Sequence, residues 1–124
     1  MILARSAGAL FLASVPFLAT PALAQDAAAG ATLFKGRCGI CHSVTPGQKA
    51  MMAPNLSGVA GRKAGSTEFN YSSALKASGL KWDKPTLDKF LTAPMKLVPG
   101  TRMVISLPDA KQRADVVAYL STLK

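Results

Sequence analysis

Both cysteines and the only histidine of this 124-residue chain lie within one pentapeptide, Cys38-Gly39-Ile40-Cys41-His42. Such a cluster has three chemical uses: a redox dithiol, part of a metal site, or covalent attachment of a haem. C-x-x-C by itself is ambiguous, whereas C-x-x-C followed directly by histidine points to haem attachment. A disulfide between Cys38 and Cys41 would staple almost nothing, because the loop it closes is so short. A closed zinc site needs about four ligands, and the chain offers these three side chains with no second cluster. A thioredoxin-like dithiol needs a βαβ setting, so the pattern of elements along the chain decides between it and haem.

The chain opens with one basic residue, Arg5, followed by an uncharged, mostly apolar run from Ser6 to Gln25. At roughly 20 residues the run is just long enough to span a bilayer as an uncleaved anchor. Pro16 and Pro21 interrupt it, and it closes on Ala22-Leu23-Ala24, a small-x-small pattern that suits a signal peptidase. Residues 1–24 therefore read as a signal peptide, with residues 25–124 as one small exported domain. Arg5 is the only charged residue lost on cleavage, so the domain's formal charge is one unit below the chain's +9. That charge implies anionic partners. Export, together with a scarcity of aromatic residues for base stacking, argues against nucleic acid. No second apolar span follows, and a soluble periplasmic protein is expected. A domain of this size buries a modest core, which a large apolar prosthetic group would help fill.

Asp26 can cap a helix over about residues 27–38, with Leu33 and Phe34 on its apolar face. Residues 43–70 contain Pro46, Gly47, Pro54, Gly58, Gly61 and Gly65, which forbid a long regular element. A loop of that length in a compact domain usually wraps something. Residues 72–78 predict a short helix ended by Gly79. Asp83 can cap the next one, with Pro85 in its first turn, Leu87, Phe90 and Leu91 facing inward, and Pro94 ending it. Residues 94–107 read as a second irregular stretch. Pro108 and Asp109 open a final helix, in which Val116, Val117, Leu120 and Leu123 recur at helical spacing. No strand pattern is convincing, and the expected fold class is all-α.

Without a βαβ setting the dithiol reading fails, and haem attachment uses all three residues of the cluster. Each thiol adds across a haem vinyl group to form a thioether, while the adjacent histidine reaches the iron. A bis-histidine site is excluded, because there is no other histidine. Met51, Met52, Met95 and Met103 are the thioethers available to the exported domain, and any of them is by default a core filler. Met103 stands apart, since it follows Pro99-Gly100-Thr101-Arg102, a turn able to aim it inward. Met51 and Met52 lie much nearer His42 and require the loop to fold back.

Beyond the pentapeptide, the sequence resembles class I cytochromes c of the mitochondrial type and bacterial cytochromes c2 and c550. Gly30 and Phe34 carry the likeness, with APNLSGVAGRKAG (53–65), FNYSSA (69–74), LKWD (80–83), PGTRM (99–103) and DVVAYL (115–120). The resemblance implies one covalently bound haem c on Cys38 and Cys41, with His42 and Met103 as axial ligands. It implies that the Pro54 carbonyl accepts the Nδ1 proton of His42. Arg62, Tyr71, Trp82 and Thr101 would reach the haem propionates. Gly30, Phe34 and Tyr119 would form a contact between the first and last helices. The implied function is one-electron transfer by a carrier that is not an enzyme, acting as a monomer. Its implied partners are acidic docking surfaces of redox proteins such as a cytochrome bc1-type complex and a terminal oxidase, with only peripheral contact to membrane complexes. Arg37, Lys49, Lys96, Arg102 and Lys111 would form a basic ring for that docking. Ile105 and Met95 depart from the family pattern, where an aromatic and a lysine are frequent.

Overall fold

The computed structural model describes residues 16–17 and 25–124. The expected signal peptide lies outside the described residues, apart from Pro16 and Phe17. Five helices follow in order: α1 (Ala27–Arg37), α2 (Ser73–Ala77), α3 (Lys84–Thr92), α4 (Pro94–Leu97) and α5 (Ala110–Leu120). Among the described residues there is no strand, only an isolated bridge between Lys63 and Lys81. No helix among them is long and apolar enough to cross a membrane.

The helices start where their caps dictate. Asp26 accepts hydrogen bonds from the amides of Ala28 and Ala29, Ser72 from Leu75, Asp83 from Thr86, and Asp109 from Gln112. Each satisfies amide donors that a first helical turn leaves unpaired. α3 ends at Thr92, just before Pro94 as expected, but Pro94 also has a second role. The chain breaks at Ala93, whose φ is −159°, and Pro94 then opens α4. A first-turn position suits proline, because the amide it lacks would have had no partner there. The remainder of 94–107 is irregular, as the sequence suggests.

The molecule is organised by α1 crossing α5. A Cβ built on Gly30 would stand 1.9 Å from the backbone oxygen of Asp115, so only glycine permits this approach. One turn on, the rings of Phe34 and Tyr119 meet at 5.3 Å between centroids, tilted by 55°. Such a pair is worth about 0.5–1.5 kcal/mol beyond the area it buries. The core continues through Leu87, Phe90, Leu91, Leu107, Val116, Val117 and Leu120, and Trp82 packs on Phe90 at 4.9 Å. Leu123 is only partly buried, just after the turn beyond α5.

The long loop after the pentapeptide is stitched to this frame by its backbone. The Leu56 amide donates to Ser43 O at 2.9 Å, Gly61 to Trp82 O at 2.7 Å, and Ala64 to Leu80 O at 2.8 Å. Buried backbone groups need such partners, and these bonds replace the ladder a strand would provide. The result is a wall of loop facing α3 and α5 across an interior space.

Candidate haem-binding site

The pentapeptide continues the turn of α1. Cys38 and Gly39 both donate to Phe34 O at 2.8 Å, and His42 donates to Cys38 O at 2.9 Å. This compact turn brings Cys38, Cys41 and His42 to one wall of a cavity of about 390 Å³. Cofactor sites commonly measure about 300–1,000 Å³. Both cysteines are free thiols. Burial pushes the Cys38 thiol up, with Arg37 pulling it down and Cys41 adding to the rise.

Nδ1 of His42 lies 2.7 Å from the carbonyl oxygen of Pro54. A carbonyl only accepts, so Nδ1 carries the proton and Nε2 is left with a free lone pair. Burial holds His42 below its ordinary value, and the Pro54 hydrogen bond acts in the opposite sense. The ring is therefore neutral at physiological pH, the form that coordinates metal. Asn55 secures the segment that presents Pro54. Its amide donates to Thr45 O and Gln48 O, both at 2.8 Å, while its Oδ1 accepts the Ser57 amide.

The remaining expected residues come from distant parts of the chain. Arg62, Tyr71, Trp82, Thr101 and Met103 all line the same cavity, as does Pro54. Tyr71, Trp82 and Thr101 are buried. The Tyr71 hydroxyl is paired with Thr67. Arg62 donates to Ser57 O at 2.9 Å and to Asn55 O at 3.1 Å, so it also holds the loop closed. Met103 is partly buried against the core, whereas Met51, Met52 and Met95 are exposed. Met52 borders the cavity, and Met51 and Met95 do not line it. Exposed Val104 and Ile105 also line the cavity.

The donor set fits a haem. Two free thiols and an imidazole with an available Nε2 share one wall, a thioether lines the same space, and the rest is mainly apolar. Among the described residues no group of three or more His, Cys, Asp and Glu side chains is placed to hold a bare metal ion.

Sequence reasoning missed Asn55 and Thr67, whose roles are to position Pro54 and Tyr71. The Asx turn at Asn55, which follows Pro54 and accepts from Ser57 two residues on, is the only local signal of either.

The family model for cytochrome c matches residues 27–124. The chain belongs to the class I cytochrome c family. It is 46% identical over 112 residues to cytochrome c2 of Rhodomicrobium vannielii, covering 89% of each chain. It is 48% identical over 103 residues to cytochrome c2 of Rhodoblastus acidophilus, covering 82% of this chain and 95% of that one. Its fold matches cytochrome cH from Methylobacterium extorquens with a TM-score of 0.73 and 44% identity, over 78% of this chain and 98% of the other. As a cytochrome c, the protein carries one covalently bound haem c, and Cys38 and Cys41 fit its attachment. It is a monohaem electron carrier and not an enzyme.

Proposed function

We propose that this cytochrome shuttles single electrons between periplasmic redox complexes, with its iron held between His42 and Met103. The observation that carries the reading is the pairing of His42 Nδ1 with Pro54 O, with Met103 lining the same cavity. The bound haem supplies a ferric–ferrous couple. The protein's part is to keep the coordination unchanged as the charge changes. The Pro54 hydrogen bond fixes the ring's tautomer and raises its basicity. A thioether ligand and the apolar walls favour the less charged ferrous state and so raise the potential. Tyr71, Trp82, Thr101 and Arg62 offer donors on apolar or tethered bodies, which offsets the cost of enclosing propionates.

The signal peptide over residues 1–24 would deliver the domain 25–124 to the periplasm as a soluble monomer. Exposed Arg37, Lys49, Lys96 and Arg102 would steer it to acidic docking surfaces, such as those of a cytochrome bc1-type complex and a terminal oxidase. Apolar Ile40, Met52, Val104 and Ile105 are exposed and would form the contact's centre.

The deciding experiment is the visible spectrum of the exported holoprotein, oxidised and reduced, with and without carbon monoxide. A low-spin spectrum with the weak far-red methionine–iron band, changed only slowly by carbon monoxide, is expected. Rapid carbon monoxide binding by the wild-type protein would overturn the His42/Met103 assignment.

A further inference from the structure

Between Thr101 and Leu107 the backbone makes no hydrogen bond to other backbone among the described residues. Apart from the packing of Met103 against the core, residues 102–106 are therefore held by what happens at the two ends of the span. Val104 is 72% exposed and Ile105 43%, so neither is anchored in the core. At the first end, the Thr101 amide donates to Val98 O at 3.0 Å, and exposed Arg102 donates to Asn70 O at 2.8 Å. At the second end, Leu107 is 1% exposed and its amide donates to Leu91 O at 2.7 Å.

Arg113 gathers that second end. From α5, its Nη1 donates to Leu107 O at 3.0 Å and to Pro108 O at 2.7 Å. Its Nε donates to Asp88 on α3 at 2.8 Å. The Arg113 side chain is 13% exposed, against 47% for Asp88, so the guanidinium is shielded and its carbonyl bonds are charge-assisted. One planar group thus joins α3, α5 and the exit of the loop. A lysine has no such fork and cannot span the three acceptors.

We propose that Arg113 is a positioning residue that clamps the loop bearing Met103 and thereby sets how readily the thioether leaves its place. The proposal rests on the reading of Met103 as the sixth ligand. The clamp acts through Leu107 and Pro108, and Arg113 itself does not line the cavity.

The test compares carbon monoxide binding to the reduced holoprotein, and loss of the far-red band on heating, in wild type and four variants. Arg113→Met should bind carbon monoxide at least about tenfold faster, the change that corresponds to the net loss of roughly one charge-assisted bond. Its far-red band should vanish on heating well before its helices melt. Arg113→Lys should fall between the two. Asp26→Ala removes the α1 cap, which touches Ala28 and Ala29 and not the loop. It should lower the melting temperature with the band persisting until the helices melt. Equal acceleration in Asp26→Ala and Arg113→Met would reduce the effect to global stability and overturn the clamp. So would wild-type behaviour in Arg113→Met or, should that variant fail to accumulate, in Arg113→Lys. Met103→Ala separates the two hypotheses. If it keeps the far-red band, the ligand assignment is wrong. If it loses the band while the Arg113 variants behave as wild type, only the clamp is wrong.

Discussion

At the scale of single residues, two close approaches set what this chain tolerates. The carbonyl of Pro54 is an acceptor beside His42 Nδ1, and this alone fixes which ring nitrogen is free. The pentapeptide identifies the histidine, but the partner twelve residues on follows from the resemblance and not from spacing. Gly30 is the other. An added methyl would stand 1.9 Å from the Asp115 oxygen, and the obstacle is backbone that cannot swing aside. Gly30→Ala should therefore force α1 and α5 apart. Overpacking of this kind costs about 1–3 kcal/mol, or a fall of roughly 4–8 °C in melting temperature per kcal/mol for a domain of this size. Calorimetry of the holoprotein checks it, and an unchanged melting temperature would show that the crossing can slide.

At the scale of elements, the capping aspartates and the proline positions make the helices legible in the sequence. Local hydrogen bonds within three residues decide where a helix starts, so the information is local too. Pro94 shows the limit: the sequence marks it as ending α3, but that it also opens the short α4 depends on how residues 95–97 continue after it. The contact between α1 and α5 carries a further consequence. Asp115, buried on α5, accepts from Lys111 Nζ at 2.6 Å and from the Asp26 amide at 2.9 Å. These bonds, Lys111 first, hold its carboxyl below the ordinary value of 3.8. A depressed folded-state value adds stability that is complete above the ordinary value and is lost as the pH falls below it. Wild type should thus lose stability on acidification below about pH 4 more steeply than Asp115→Asn, which starts less stable at neutral pH. Thermal melts of both proteins from neutral to acid pH measure the difference. Parallel curves would mean that Asp115 titrates alike in the folded and unfolded chains.

At the scale of the whole molecule, charge and apolar surface meet near the cavity's edge. All five expected basic residues are exposed, but they are not equivalent. Lys111 is committed to Asp115, so its charge is largely compensated at short range. Steering by the summed field weakens with ionic strength. Electron transfer to an acidic partner should slow as salt rises. Lys96→Ala should slow it at low salt more than Lys111→Ala does. Stopped-flow rates across ionic strengths test both statements, and salt-independent rates would sink the steering hypothesis.

The sequence alone determined the attachment chemistry, the helical class and most helix starts. Two thiols and an imidazole in five residues, and caps beside the turns they serve, are all written within a few positions. The tertiary structure decided the rest: that Gly30 meets Asp115, that Lys111 is paired with Asp115, that Met103 and not its three exposed counterparts is partly buried on the cavity wall, and that Arg113 holds the loop's exit. Each joins residues brought together only when loops close and helices cross. The resemblance already placed Gly30 at a helix contact and Met103 at the haem, but spacing alone marks none of these pairings, because either partner alone reads as an ordinary glycine, surface charge or core thioether.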